Sequence, residues 1–407
     1  MLIQLDVAQT VGVAAVFLVI GELIKKYIPI LERYFIPSPI IGGLVFALIT
    51  LYGHQTQTFD IELYGNISSF LLMAFFTTIG FSASLEMLKK GGKAVAIFLV
   101  IAIVLLILQN VVGIGVATIL GSSPLLGLAA GSISMTGGHG TAAAFAPLLE
   151  AKGVIGALPA SIAAATWGLV AGCIIGGPVG SYLMKKHGIK GRKPDPESSD
   201  VEYAADNFDS PDAAQPVEGK KYALDMATYA VVLLAVCMGL GGTIINWLAA
   251  KGITLPGYLG AMVVAAVIRN IIDWKKYRLP QTQFDVIGSV ALSFFLVMAL
   301  MSMKLWELAQ VAGPLLLILI SQTALMFAFA VYVTYPLMGK DYDAVVISTG
   351  HCGFGMGATP NAMANMLSFT AVNGPSRKAF FVIPLVGSLF IDFFNAVIIT
   401  LFINLVG

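Results

Sequence analysis

Two glycine-rich stretches, GGHG at residues 137–140 and GHCGFGMG at residues 350–357, lie inside the most apolar parts of the chain. Each joins glycines to a histidine in surroundings that offer few partners for polar groups. If those surroundings are lipid, irregular backbone is tolerated only where protein or a water-filled cavity encloses it. The two stretches therefore predict either a cavity or a tight internal contact, and the rest of the chain is interpreted around them.

The composition identifies an integral membrane protein. Of 407 residues, 58% are hydrophobic and 11% are charged, whereas a soluble domain has about 25% charged residues. The net charge of +1 gives no reason to expect nucleic acid as a partner. The N-terminal MLIQLD lacks the basic segment of a cleaved signal peptide, which predicts that the first apolar segment is retained.

Hydropathy predicts ten membrane-spanning helices, since about 20 apolar residues cross a bilayer. They are expected at about 7–27, 36–53, 68–88, 94–119, 157–184, 222–249, 255–273, 284–303, 313–337 and 379–405. Two further apolar stretches, 124–147 and 343–369, are interrupted by glycine and proline. We expect them to be re-entrant hairpins that enter and leave the membrane on the same side.

The positions of Lys and Arg predict the orientation. With the N-terminus outside, only three of the 23 basic residues fall in outer loops, namely Lys152, Lys251 and Lys304. Both termini are then periplasmic, and the polar stretch 186–221 is a cytosolic linker. Its Pro, Ser and Asp content is typical of disorder.

The linker separates two halves, 1–185 and 222–407, each with five spans and one hairpin. Because five is odd, the halves are expected to be inverted relative to one another. Gln109 matches Gln322 at an offset of 213 residues, and Gly138-His139 matches Gly350-His351 at an offset of 212. Inverted repeats with broken helices near the midplane are typical of secondary transporters. The predicted fold is therefore an all-α polytopic membrane protein of two inverted five-helix repeats.

The hairpin glycines suit a ligand cavity. Glycine allows close approach of a ligand to the backbone, and N–H groups at a turn that starts a helix form an anion site. Close helix contacts through small residues are the alternative, and that alternative explains Gly176-Gly177 and Gly241-Gly242 well. In the hairpins, the neighbouring hydroxyl and amide side chains favour a cavity.

Asp392 is the one acidic residue deep in a predicted span, with Asn395 one turn further on. An ionisable residue at membrane depth is a functional candidate by default, although a hydrogen bond to nearby backbone is the alternative. Asp392 is suited to bind a metal ion, a proton or a substrate ammonium group. No Lys or Arg lies deep in a span, so an anionic substrate has to meet backbone N–H groups, hydroxyls or a bound cation.

Other polar residues remain open at this level. His139 and His351 are suited to contact substrate, to carry protons or only to hold the hairpin backbone. Cys352 fits a small packing residue, and Gln109 and Gln322 fit hydrogen bonds between helices. The chain has no Walker motif, no paired catalytic carboxylates and no His/Cys metal cluster, which argues against an enzyme or an ATP-driven pump.

Several motifs resemble those of the bacterial sodium/glutamate symporter family. They are LLILQN (105–110), SMTGGHGTAAAF (134–145), MALMSMKLWELA (298–309), GHCGFGMGATPNAMANM (350–366) and PLVGSLFIDFFNA (384–396). The resemblance covers nearly the whole chain and is weakest in the linker. It implies Na⁺-coupled uptake of L-glutamate across the bacterial inner membrane, without an organic cofactor, by a homodimer with an elevator-like movement.

The resemblance and the residue types together define a candidate site at the hairpin tips. The candidates for substrate binding are Ser134, Thr136, Gly137, Gly138, His139, Gly140, Thr141, Gly350, His351, Cys352, Gly353, Phe354, Gly355, Thr359, Asn361 and Asp392. The candidate Na⁺ ligands are Asp392, Asn395, Asn365, Thr136 and Ser348. We expect the first two spans of each half to form a scaffold, and the other three to move with the hairpins.

Two alternatives remain. A symporter of the same fold for citrate, malate or aspartate would have a similar sequence. A channel or an amino-acid sensor belongs to a different class. A sensor usually carries an added signalling domain, and the stretch 186–221 is too short and too polar for one.

Overall fold

The computed structural model describes residues 2–33, 36–64, 66–192, 225–250 and 256–406. Most of the predicted linker 186–221 therefore lies outside the described residues. Its first residues are described, and Lys186 and His187 still belong to the helix that begins at Ala157.

The first half is helical apart from one strand pair. Its helices are α1 (Val7–Tyr27), α2 (Pro29–Arg33), α3 (Ser38–Thr56), α4 (Asn66–Ser82), α5 (Leu85–Ile119), α6 (Pro124–Ala129), α7 (Gly138–Ala151) and α8 (Ala157–His187). Two three-residue strands, β1 (Leu2–Gln4) and β2 (Asp60–Glu62), pair in parallel with Leu2 opposite Asp60. The sequence analysis did not predict this small sheet.

The second half repeats the order of long and short helices. Its elements are α9 (Met226–Ala249), α10 (Gly257–Trp274), α11 (Gln281–Met301), α12 (Leu305–Phe329), a π-helical turn (Ala330–Thr334), α13 (Tyr335–Met338), α14 (Tyr342–Gly355), α15 (Thr359–Asn373), α16 (Arg377–Leu389) and α17 (Ile391–Val406).

Side-chain caps set several helix starts. Asp6 accepts a hydrogen bond from Gln9 N at 2.8 Å, Asp225 accepts one from Thr228 N at 2.7 Å, and Asp341 accepts one from Ala344 N at 2.8 Å. Such caps satisfy N–H groups that the first helical turn leaves without a partner. These polar residues therefore mark where α1, α9 and α14 begin.

The described residues contain seven helices that are long and apolar enough to cross a membrane. They are Val7–Tyr27, Gly92–Ile119, Ala157–His187, Met226–Ala249, Gly257–Trp274, Gln281–Met301 and Val311–Met338. The pair α16 and α17 makes an eighth if it is counted as one span. The protein is thus a polytopic helical membrane protein. The predicted spans 36–53 and 68–88 coincide with α3 and α4, which are not among the seven, so ten spans remain a prediction.

Two groups of helices pack together. The six-helix unit consists of α1, α3, α4, α9, α10 and α11, and the hairpin unit consists of α5 to α8 and α12 to α17. In the six-helix unit, α4 packs against α10 and α11, and α11 packs against α3. Elements of the two sequence halves therefore alternate within one unit, and neither half forms a separate body.

This grouping corrects one expectation. The third predicted span of each half, α4 or α11, packs mainly within the six-helix unit, and α11 has only a smaller contact with α7 of the first hairpin. By packing, three predicted spans of each half therefore group together, where two were expected. The reason is that α4 and α11 bury their contact faces against helices of the opposite half, a partner that sequence order does not reveal.

Glycines bring the paired helices of the six-helix unit into contact. A side chain at Gly21 would collide with the backbone of Ser38, and one at Gly241 would collide with the backbone of Ala261. Small residues allow such close approach between membrane helices. The packing interpretation of Gly241 is therefore confirmed, whereas nothing lies within 4 Å of a Cβ built at Gly242.

Both predicted hairpins are helix–loop–helix segments that pack on α8. The first is formed by α6 and α7 over residues 124–151, four residues longer than the predicted 124–147. The second is formed by α14 and α15 over residues 342–373, against the predicted 343–369. The longer arms extend to the capping residue Asp341 at one end and to Gly374 at the other.

Candidate functional site

The GGHG stretch forms the start of α7. The irregular backbone precedes it, at residues 130–137, and Gly137 N donates to Ser132 O at 2.9 Å. Gly138 has φ +62°, a left-handed conformation that strains any residue with a Cβ. Only glycine therefore lets the chain turn into α7 at this point without strain.

The start of α7 leaves backbone donors available. The N–H groups of His139 and Gly140 have no acceptor among the described residues, as expected in the first turn of a helix. The 14 residues of α7 also place the positive end of the helix dipole at these groups. This end of the first hairpin can accept an anion.

The GHCGFGMG stretch has a different structure from the one predicted. Gly350 to Gly355 belong to α14, and only Met356, Gly357 and Ala358 separate α14 from α15. A Cβ at Gly353 would lie 2.6 Å from Asn361 C, in the backbone of α15. In this motif the glycines serve close helix contact, so the predicted irregular backbone is wrong for residues 350–355.

The second hairpin supplies a comparable helix start a few residues later. The N–H groups of Thr359 and Asn361 have no acceptor among the described residues, and Pro360 has no N–H group to satisfy. The helix start with free backbone donors in the second hairpin thus lies at Thr359, after the glycine motif and not within it.

A cavity of about 430 Å³ is lined by residues of both helix starts. Its hairpin-unit side includes Thr136, His139, Thr359 and Asp392. Its other side is formed by the six-helix unit through Pro37, Pro39, Phe75, Leu292, Ser293 and Leu296. The cavity therefore lies between the two units and not within either one.

Asp392 reaches this cavity because the last predicted span is broken. The segment predicted as a continuous helix at 379–405 ends at Leu389 and restarts at Ile391, with a bend of 49°. Asp392 is consequently in the first turn of α17, where a negative side chain is favoured. No hydrogen bond or ion pair to its carboxylate is present among the described residues.

Few ionisable groups line the cavity. Among the described residues that line it, Asp392 and the imidazole of His139 are the ionisable groups, and no Lys or Arg is present. An unpaired carboxylate in surroundings of low polarity is stable only when a cation or a proton neutralises it. The site thus combines two groups of free backbone donors with one carboxylate that can take a cation or a proton.

The two histidines occupy different environments. His139 lines the cavity, and its Nε2 lies 2.9 Å from Thr166 Oγ1. His351 is fully buried and does not line it. Its Nδ1 lies 2.8 Å from Thr334 Oγ1 on the π-helical turn, and its ring packs against Phe98, 4.8 Å between centroids.

Many of the predicted substrate-binding residues line the cavity. They are Thr136, Gly137, Gly138, His139, Gly140, Thr141, Phe354, Thr359, Asn361 and Asp392. The candidates outside it are Ser134, Gly350, His351, Cys352, Gly353 and Gly355. Ser134 Oγ donates to Ala129 O at 2.5 Å and Cys352 Sγ donates to Ser348 O at 3.3 Å, so both bond their own segments.

The candidate Na⁺ ligands are divided in the same way. Thr136 and Asp392 line the cavity. Asn395 Nδ2 donates to Ser132 O at 3.0 Å beneath the first hairpin tip, and its Oδ1 is buried without a partner. Asn365 faces a separate cavity of about 340 Å³, and Ser348 Oγ donates to Ala344 O at 2.8 Å within α14.

The cavity wall from the six-helix unit was not predicted from the sequence. Phe75, Leu292 and Leu296 are apolar residues in apolar helices, and nothing in their spacing distinguishes them from lipid-facing positions.

A polytopic helical fold with broken helices around a cavity that contains a few polar groups is typical of secondary transporters. The family model described as sodium/glutamate symporter matches residues 3–375. A protein named sodium/glutamate symporter from Escherichia coli K12 is 40% identical over 404 residues, 99% of this chain and 98% of that protein. One of the same name from Haemophilus influenzae is 39% identical over 393 residues, 96% of this chain and 95% of that protein. The chain belongs to the sodium/glutamate symporter family.

Proposed function

We propose that this protein is a secondary active transporter that takes up L-glutamate together with Na⁺ across the bacterial inner membrane. Family membership and two relatives named sodium/glutamate symporter support this proposal. Na⁺ is the co-transported ion, and the mechanism needs no organic cofactor. Symport of this kind is transport and not enzyme catalysis.

The observation that carries the proposal is the unpaired carboxylate of Asp392 in a cavity with two free helix starts. L-Glutamate has two carboxylates and one ammonium group, which match the donors of α7 and α15 and the acceptor Asp392. A tricarboxylate such as citrate has no ammonium group, and no Lys or Arg lines the cavity to neutralise it. The charges therefore favour an acidic amino acid over citrate or malate.

Accumulation of an anion requires coupling. Moving one negative charge inward against an inside-negative potential costs about 2.3 kcal/mol per 100 mV. Na⁺ taken up with the substrate offsets this cost. Na⁺ binds hard oxygen ligands. The candidate ligands in the cavity are Thr136 and Asp392. The other candidates, outside the cavity lining, are Asn395, Asn365 and Ser348.

The finer architecture belongs to the same proposal. Residues 1–185 and 222–407 would be inverted five-span repeats joined by a cytosolic linker at 186–221, with both termini periplasmic and both hairpins re-entrant. The mirrored glycine contacts between α1 and α3 and between α9 and α10 support this symmetry. The hairpin unit would move as an elevator against the six-helix unit, and a homodimer formed through the six-helix unit would hold that unit still.

Transport by purified protein in proteoliposomes tests the proposal. We expect labelled L-glutamate to accumulate when an inward Na⁺ gradient is applied, and not with a proton gradient alone. Accumulation driven by protons and indifferent to Na⁺ would refute the coupling. Uptake of citrate in preference to glutamate would refute the substrate. Flux without saturation would indicate a channel, and binding without any flux would indicate a sensor.

Asp392→Asn tests the residue that carries the argument. Loss of a charge that faces a bound cation is expected to lower Na⁺-driven uptake about 100-fold. The control is Asp285→Asn, the same change in α11 at a residue that does not line the cavity. Full accumulation by Asp392→Asn would remove this residue from the proposed mechanism.

A further inference from the structure

Gln109 lies in the C-terminal half of α5, 1% exposed, between the two hairpins. Its Nε2 donates to Gly355 O at 2.6 Å, and its Oε1 accepts from Thr136 Oγ1 at 2.8 Å. Thr136 belongs to the first hairpin tip, and Gly355 is the last residue of α14 in the second. One side chain therefore bonds both hairpins.

The direction of each bond is determined by its partner. Gly355 O is a carbonyl and can only accept, so the amide nitrogen of Gln109 has to face it. Thr136 Oγ1 has one proton and also lies 3.2 Å from Gly355 O. The shorter distance assigns that proton to Gln109 Oε1. The hydroxyl of Thr136, which lines the cavity, is thereby held in one orientation.

The repeat partner of Gln109 does not make an equivalent contact. Gln322 is equally buried, at 1% exposed, and its Nε2 donates to the backbone oxygen of Gln109 at 2.7 Å. Its Oε1 is buried and has no hydrogen-bond partner among the described residues. Two glutamines at matching sequence positions thus have unequal roles, since only Gln109 joins the tips with its side chain.

We propose that Gln109 is a positioning residue that sets the separation of the two hairpin tips, and through it the length of acidic amino acid that the site accepts. The inference rests on the proposed function. The donors of His139 and Gly140 lie on one tip, and those of Thr359 and Asn361 follow the other. A substrate that bonds both sets has to span the distance between them.

Chain length is a property that such a site can discriminate. Aspartate is one methylene shorter than glutamate, and α-aminoadipate is one methylene longer. A site built to hydrogen-bond a substrate group rejects an analogue that cannot reach it, because buried donors are then left unpaired. Loosening the tips should relax that rejection, whereas a general loss of stability should affect all three substrates equally.

Gln109→Met tests the inference, because it keeps the length of the side chain and removes both polar atoms. We expect the preference for glutamate over aspartate, measured as the ratio of kcat/KM values, to fall about 10-fold, the loss that corresponds to one or two hydrogen bonds. The KM for glutamate should rise while the maximal rate changes less. Gln322→Met is the matched control and is expected to keep the ratio within about 2-fold.

A double-mutant cycle with Thr136→Val supplies the second measurement. If Gln109 acts through the Thr136 bond, the double variant should change the ratio no more than the larger single change does. Additive effects would overturn the inference. So would an unchanged ratio in Gln109→Met protein that is present in membranes at normal amounts.

Two further variants allow the test to be made even if the first variant does not fold. If Gln109→Met is not stably inserted, Gln109→Asn, which is too short to bond both tips, replaces it with the same expectation. Thr136→Ser should retain the ratio that Thr136→Val loses. Wild-type protein without Na⁺-driven glutamate uptake would refute the proposed function, whereas active wild-type protein and variants of unchanged ratio would refute the role of Gln109 alone.

Discussion

The two Gly-His pairs of this chain have matching sequences and opposite surroundings. Gly138 and His139 lie at the start of a helix, beside the cavity. Gly350 and His351 lie inside a helix and are buried among side chains. The same pair therefore makes a turn with free donors in one hairpin and a close helix contact in the other. A shared motif indicates a related position in the fold and does not by itself indicate a shared role.

The largest expected effect is on folding, at Gly353 in the helix that contains the second pair. In Gly353→Ala the new Cβ would lie 2.6 Å from Asn361 C and 2.7 Å from Ala362 N. Backbone cannot give way as a side chain can, and such overpacking costs about 1–3 kcal/mol or more. We expect a lower thermal midpoint for the purified protein, measured by size-exclusion chromatography after heating. Gly177→Ala, with nothing within 4 Å of its Cβ, is the control.

Gly138→Ala should affect transport more than stability. Its φ of +62° costs about 1–2 kcal/mol for a residue with a Cβ, and the residue lines the cavity. We expect the KM for glutamate to rise about 10-fold. Gly188→Ala, at φ +63° with nothing within 4 Å, applies the same backbone strain away from the cavity. Equal KM values for the two variants would show that backbone strain alone raises the KM, whether or not the strained residue lies beside the cavity.

His139→Ala probes the histidine beside the cavity. It removes the bond between Nε2 and Thr166 Oγ1 and enlarges the cavity. A hydrogen bond contributes about 1 kcal/mol, so the KM for glutamate should rise about 5-fold. Uptake at a series of glutamate concentrations measures this change. An unchanged KM would contradict the interpretation that His139, unlike His351, lies close enough to the substrate to affect its binding.

His351→Phe should have the smallest effect. The ring would keep its contacts with Phe98, Phe329 and Phe354, and the buried Nε2, which has no partner, would disappear. The lost bond to Thr334 would lower stability by about 1 kcal/mol. Adding Thr334→Val should restore part of it, since removal of both partners is nearly neutral. A KM changed more than 2-fold would place His351 closer to the substrate than the structure does.

Sequence patterns predicted a substantial part of the site. Thr136, His139 and Asp392 were all singled out as polar residues in apolar segments, and all three line the cavity. The reason is that a polar group at membrane depth costs free energy, so the polar residues that do occur there are candidates for a function. Their roles in binding glutamate and Na⁺ remain proposals.

Other features depended on contacts between distant residues. Gly353 looks like a loop residue in sequence, but it is helical, and its lack of a side chain lets the backbone of α15 approach it. Phe75 and Leu292 look like lipid-facing residues and form a wall of the cavity. Gln109 looked like one of two equivalent glutamines and alone bonds both hairpins.

By itself, the sequence determined that this chain is a helical membrane protein of the sodium/glutamate symporter family, with two interrupted segments and one deep acidic residue. Periodicity and hydropathy depend on residues that are close in sequence. They therefore indicate the surroundings of each segment but not its partners. Only the tertiary structure decided which helices pair across the halves, where the last span breaks and which Gly-His pair faces the cavity. Those features follow from contacts between residues as much as 263 positions apart, such as Ser132 and Asn395.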